Sequence, residues 1–332
     1  MKKLFLILII STLLWADGGI IPPLYNEIYG KDQVAIIKIL PDSEELSILV
    51  KVAWTTDYNG FAWVVPFPSL PVVREINDSL FINLSALTSI QKNYGGCGRP
   101  YYGDNGYYYG DDYFKIIEFK TIGFLQTVLI QTDNPDTLIN WLINNGYRLP
   151  DGMRNMFQDY INRNWQYFFI TRADTNYNYY GINIGVCFKF ATDTIVYPMK
   201  ISSLTSADYT ALYLYVIGLH KMFFDNAELL YANRISKDEL ENIEEDFPIL
   251  FDYINEGDYI TKLRRTYDYP SAMTSDIFIY QSPDDTEFRK EEEPYWYLGF
   301  VNSMVLPVIF FLLYISYVRI RRKRESKRKS IQ

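Results

Sequence analysis

The chain is poor in the residues that most catalytic and metal centres use: one histidine, His220, and two cysteines, Cys97 and Cys187, in 332 residues. A zinc centre of the usual kind draws its ligands chiefly from Cys and His at short spacings, so that chemistry is excluded and no cofactor is expected. His220 follows the run LYLYVIGL, with no Gly-x-Ser-x-Gly elbow and no Cys–His pattern around it. A packing or strand-end role is the commoner use of such a histidine. No glycine-rich loop precedes a helix, which removes the signature of nucleotide binding. Cations are also scarce away from the two ends. With the eight of Arg319–Gln332 and Lys2 and Lys3 set aside, 22 Lys and Arg face 39 Asp and Glu, a net −17. A body so acidic repels phosphates, so no nucleic acid partner is expected.

What is abundant is aromatic and apolar: 30 Tyr, 21 Phe and 6 Trp. The longest apolar stretches lie at the ends. After MKK comes LFLILIISTLLW, a 12-residue run that as a helix would span about 18 Å, short of a hydrocarbon core of roughly 30 Å. It fits a signal peptide over residues 1–16 cleaved after Ala16, with Leu14 at the −3 position where Ala is usual. An uncleaved anchor is the alternative. Trp296–Val318 holds 23 residues without a charge, about 34 Å as a helix, with Tyr295, Trp296 and Tyr297 at one end and Tyr314 and Tyr317 near the other. Asn302 and Pro307 lie inside it, and proline is tolerated in membrane helices. The run is read as a transmembrane helix with the lipid bilayer as partner. The basic segment Arg319–Gln332 then marks the cytoplasmic side. The expected product is a single-pass plasma-membrane protein with its acidic body outside.

The body, 17–281, reads as a strand-rich α+β extracytoplasmic domain with several helices, in one or two lobes. Gln33–Leu40 and Leu46–Thr55 have strand patterns, the second alternating Leu46, Ile48, Val50, Val52 and Trp54 on one face. Asp57–Gly60 supplies turn residues for a hairpin into Phe61–Val65, a strand apolar on both faces and so covered on both sides. Pro66 lacks the N–H a ladder needs, so pairing ends there or continues on an edge, and Pro68 and Pro71 keep the exit extended. A proline-rich ligand is the alternative. The flanking Trp63, Val64 and Val65 favour a buried corner.

Tyr94–Tyr113 packs seven Tyr, six Gly and three Asp into 20 residues without periodicity and reads as a long loop. Strands are expected within Phe114–Gln131, at Tyr167–Thr171, Ile182–Phe190 and Leu212–Leu219. Helices are expected after the Asn134 cap and Pro135, near Arg154–Asn162, and through the acidic Asp225–Asn255. The tetrapeptide DYIN occurs at Asp159 and again at Asp252. The charged stretch 282–295 reads as a juxtamembrane stalk.

FAWVVPFP at 61–68 resembles the fingerprint of an uncharacterised prokaryotic extracytoplasmic family, domain of unknown function 2330. Asp17-Gly18-Gly19, Trp141–Tyr147, Val196-Tyr197-Pro198, Tyr259–Arg264 and the later Asp276 resemble its other landmarks in order. The resemblance covers most of the body, and its first motif (Phe61, Ala62, Trp63, Val64, Val65, Pro66) is taken as structural. Many members carry Cys-Gly-Gly where this chain has Asp17-Gly18-Gly19, so any role of that cysteine is missing here. The resemblance implies a secreted or surface location, often with a C-terminal anchor, and no established activity.

Asp104, Asn105, Asp111 and Asp112 offer oxygens, but their spacing is not that of an EF-hand loop, and solvated turn carboxylates are the favoured reading. No metal site is expected. Outside the cytoplasm, Cys97 and Cys187 form a candidate disulfide that would tie the Tyr/Gly loop to the strand Ile182–Phe190. The alternative is a buried unpaired Cys187 and a free Cys97. Two functions stay open. One is a non-catalytic surface module that binds an envelope protein or a glycan, marked by a shallow exposed aromatic patch. The other is an extracytoplasmic hydrolase acting on a glycan through two carboxylates about 5–10 Å apart in a cleft.

Overall fold

A computed structural model describes residues 19–21, 30–52, 62–89, 115–122, 125–173, 182–204 and 206–290. The leader 1–16, Phe61, the Asp57–Gly60 turn, the Tyr/Gly tract with Cys97 and its four oxygen-bearing residues, the apolar run 296–318 and the basic tail 319–332 lie outside them. Contacts divide the chain into Met1–Arg289 and Lys290–Gln332. All but Lys290 of the described residues belong to the first unit.

In chain order the elements are β1 (Gly19–Ile21), β2 (Gly30–Leu40), β3 (Ser43–Val52), β4 (Ala62–Phe67), β5 (Val72–Ile76), α1 (Ser79–Leu87), β6 (Lys115–Ile122) and β7 (Leu125–Gln131). Two helices follow, α2 (Pro135–Asn144) and α3 (Met153–Asn162), then β8 (Tyr167–Ala173), β9 (Ile182–Ala191), β10 (Val196–Tyr197) and β11 (Ser206–Gly218). The last part holds β12 (Met222–Phe223), β13 (Glu228–Arg234), α4 (Lys237–Asp246), α5 (Pro248–Phe251), β14 (Tyr259–Tyr267), β15 (Ile277–Phe278), β16 (Tyr280–Gln281) and β17 (Phe288–Arg289).

Two sheets dominate: five strands in the order β1-β4-β8-β7-β6 and eight in the order β17-β13-β14-β11-β2-β3-β9-β5. Alternation decides which side chains meet, because successive residues of a strand point to opposite faces. Trp63 of β4 lies edge-on to Phe169 of β8 at 5.7 Å and reaches Phe188 of β9 at 5.9 Å, so these residues fill the space between the sheets. Phe168, the neighbour of Phe169, points the other way and meets Phe157 of α3 at 5.5 Å. On the far side of the large sheet, Ile36, Tyr215, Ile217 and Ile260 join Leu80 and Leu84 of α1, Ile243 of α4 and Leu250 of α5. The layers are helix, sheet, sheet, helix, and the strand-rich α+β expectation holds.

Several expectations change. The hairpin from Leu46–Thr55 into Phe61–Val65 does not form. β3 instead makes its hairpin with β2 across Pro41 and Asp42, Leu40 opposite Ser43, and also pairs with β9, while β4 belongs to the other sheet. A strand apolar on both faces needs cover on both sides, and the middle of the layer stack supplies it. Ala62–Phe67 is buried throughout. The ladder also passes Pro66, which lies opposite Phe168. Among the described residues β1 borders only Ala62–Val64, so β4 is there an edge strand at Pro66, where the missing N–H is tolerated. Glu228–Arg234 is a strand within the stretch read as helical.

Local signals set the helices. Asn134 caps α2 by accepting from the Asp136 N–H at 2.9 Å, with Pro135 in the first turn. Gly152 enters α3 at φ +89°, a left-handed conformation that suits glycine. The segment read as a stalk begins on the domain: Ser282 donates its N–H to Lys221 at 2.7 Å, and β17 pairs with Tyr231 and Ala232. Among the described residues no helix is long and apolar enough to cross a membrane.

Candidate functional site

The densest buried polar cluster grows from α3. One helical turn places Asp159, Tyr160 and Arg163 together, and Asp276 arrives ahead of β15. Tyr160 donates its hydroxyl to Asp276 Oδ1 at 2.8 Å, and the Lys200 N–H donates to the same oxygen at 2.9 Å. Arg163 donates to Asp276 Oδ2 at 2.8 Å, and Lys200 Nζ donates to Asp159 at 2.8 Å. The Asp276 side chain is fully buried. Burial pushes the Tyr160 phenol far up, helped by the neighbouring Asp276. Burial alone would raise the Asp159 carboxyl, but its Lys200 bond and the Arg163 charge hold it below the usual range. Both Asp276 oxygens are engaged, so the cluster is a clasp between α3, the segment after β10 and the approach to β15.

A second cluster gathers at the turn after β11. His220 Nδ1 lies 2.9 Å from Asp285 Oδ2, and Arg234 donates to that oxygen at 3.1 Å. The Lys221 N–H donates to Asp285 Oδ1 at 2.8 Å, while Lys221 Nζ pairs with Asp284. The Lys221 bond holds the Asp284 carboxyl far below its ordinary range, and the His220 bond lowers Asp285. Beside this cluster, β12 pairs with β16 and sets the exposed rings of Phe223 and Tyr280 6.0 Å apart. Their exposures are 38% and 48%, and Leu219 on the same turn reaches 70%. The arrangement is a shallow aromatic surface beside paired charges.

Glu44 stands apart. Its side chain shares the inner face with Leu46 and Ile48 and is fully buried, accepting the Val196 N–H at 3.0 Å through Oε2 while Oε1 has no partner among the described residues. Burial drives its carboxyl well above the usual range against the pull of that bond. The folded surroundings of Glu44 therefore favour its protonated form.

The residues singled out in the sequence are scattered. His220 sits at the strand end and bonds Asp285. Cys187 is a buried free thiol on β9, opposite Ser47 and Arg74 in register, and Cys97, its partner in the candidate bridge, lies outside the described residues. Trp63, Val64 and Val65 are core. Several family landmarks have structural roles at separate places: Gly19 pairs with Val64 of the fingerprint, Tyr197 donates to Gln33 at 3.1 Å, and Asp276 is the hub of the clasp. The first DYIN supplies Asp159 and Tyr160 of that hub. Its signal was the helical spacing of Asp159 and Arg163, four residues apart. Among the described residues no group of three or more His, Cys, Asp and Glu is placed to hold a metal ion.

Solved structures that the chain matches include baculovirus P35, at 10% identity and a TM-score of 0.33, covering 81% of this chain and 98% of that one. The caspase-8/P35 complex matches at 10% identity and a TM-score of 0.31, covering 78% and 94%. Superposition that loose says nothing about what this chain binds. No curated protein matches the chain. The model of one family, uncharacterized proteins conserved in bacteria, matches residues 18–280. With the fingerprint strand in the core and Asp276 at the hub, the chain belongs to that family, domain of unknown function 2330.

Proposed function

We propose that this protein is a membrane-anchored cell-surface module that binds an envelope protein or glycan without chemical turnover. The observation that carries the reading is the exposed Phe223–Tyr280 pair with Leu219 beside it. Aromatic side chains in the open supply large contact area at low entropic cost. Asp276, the hub of the buried clasp, does not serve hydrolysis, since it is buried with both oxygens engaged and has no route to a glycosidic oxygen. The anchor rests on the sequence: the charge-free Trp296–Val318 followed by the cationic Arg319–Gln332, with residues 1–16 as a removable leader.

Two measurements test this. Protease added outside cells, or to spheroplasts where an outer membrane intervenes, should digest the Gln33–Ile279 region and spare a tag after Gln332. A tag cut from outside reverses the orientation. For binding, the full chain in detergent should co-sediment with insoluble envelope glycan or its protein fraction, and Phe223→Ala with Tyr280→Ala should lose that retention while keeping the wild-type unfolding midpoint. Release of soluble sugar by the wild type would restore the hydrolase.

A further inference from the structure

One polar rung crosses the buried face of the five-stranded sheet. Lys120, Thr127, Thr171 and Trp63 stand opposite one another on β6, β7, β8 and β4. Directly paired residues share a face, and this is the face between the sheets: Trp63 meets Phe188 there, and Lys120 Nζ donates to the Val73 carbonyl of the other sheet at 2.7 Å. Thr127 donates its hydroxyl to the Lys120 carbonyl at 2.8 Å. The two remaining groups, Trp63 Nε1–H and the Thr171 hydroxyl, are completely buried and have no partner among the described residues.

We infer that Trp63 and Thr171 together hold an internal water molecule between the two sheets. The indole nitrogen only donates, whereas the hydroxyl both donates and accepts. The guest must accept from the indole and bond the hydroxyl, beside the Phe169 and Phe188 rings that Trp63 meets. An ion there would bring an uncompensated charge, since the cation of the rung, Lys120, is directed to Val73. A single water is neutral, accepts and donates, and is the usual partner of buried polar groups left over by secondary structure. This gives the fingerprint a reason for Trp at position 63: a phenyl ring would fill the same layer without the N–H.

Thr171→Val in the full chain in detergent decides by sign, because valine keeps the shape and removes the hydroxyl. If the hydroxyl holds the water, the unfolding equilibrium shifts toward the unfolded state by roughly tenfold. If the hydroxyl is alone, the variant gains stability, and the inference falls. A direct Trp63–Thr171 bond would also weaken the variant. The second measurement is therefore a nuclear Overhauser cross-peak from water to the Trp63 indole proton, present in the wild type and lost in Thr171→Val. Absence of that cross-peak from the wild type overturns the site.

Discussion

Tyr160 and Asp276 are joined by a 2.8 Å hydrogen bond across 116 positions of sequence. The bond fixes α3 to the segment entering β15, and Arg163 and the Lys200 N–H close the same carboxyl from other directions. Asp276→Ala should therefore take the shared acceptor away from a half-buried guanidinium, a phenol and a backbone N–H and destabilise the domain by about 3 kcal/mol. Tyr160→Phe removes one bond and should lose about 1–2 kcal/mol. Urea unfolding of the two variants checks the order. Equal losses would mean that the cluster is held by packing instead.

Glu44 makes stability depend on pH in an unusual direction. Unfolded, its carboxyl titrates near about 4.3; folded, burial raises it well above that. The folded state thus keeps a proton that the unfolded state releases. Its contribution is whole below about pH 4.3 and is lost as pH climbs toward the folded value, by up to about 1.4 kcal/mol per pH unit. Glu44→Gln should be more stable than wild type at pH 7 and show a flatter profile between pH 4 and 8. An unchanged profile would place the titration elsewhere.

Trp63→Ala should lose about 3–5 kcal/mol, since the ring is wholly buried between the sheets. Pro68→Ala, just beyond the strand, should be close to neutral. Denaturation midpoints of the two variants measure the difference, and a neutral Trp63→Ala would return the fingerprint to the surface.

At Gly185 a methyl group would sit 2.5 Å from the Ile76 carbonyl oxygen and 2.6 Å from the Ile76 Cγ2. The partner is backbone of β5 and cannot step aside without breaking its pairing with β9. Gly185→Ala is expected to cost about 1–3 kcal/mol and to speed amide exchange over Val72–Ile76. Exchange confined to its wild-type rate there would show that β5 accommodates the methyl group.

Under reducing conditions Cys187 should resist alkylation in the native protein and react after denaturation, because burial raises its thiol. Rapid native labelling would show that this part of β9 opens.

The pattern of the sequence reached the strands that carry their own alternation or apolar run, β2, β3, β7, β8, β9 and most of β11, and it placed α2 through its cap and proline. It did not reach β5, where VVREI mixes charge into five residues after a proline and has only Val73 to bury. Nor did it reach β13: ELLYANR is mostly good helix formers (Glu, Leu, Ala and Arg), and pairing with β14 overrides that preference. The apolar character of Phe61–Val65 correctly required cover on both faces, yet no local feature said that β3 and β4 would part into different sheets. The clasp was out of reach for a similar reason. Asp276 finds its partners 76 to 116 positions away, and only the Asp159–Arg163 spacing on α3 hinted at it.

The centre of the large sheet has a kinetic consequence. β2 runs parallel to β11, with Gln33 opposite Leu212, and β11 in turn pairs with β14. A hairpin such as β2–β3 closes within microseconds, but this parallel contact must first close a loop of well over a hundred residues, and topologies dominated by such contacts fold slowly. Until β11 emerges, the inward faces of β2 and β3 and the edge of β2 stay open to other chains. A molecule assembled strand by strand as it is synthesised therefore passes through a half-sheet that is prone to aggregate. Folding yield, rather than the stability of the finished sheet, is where substitutions in β11 should act first.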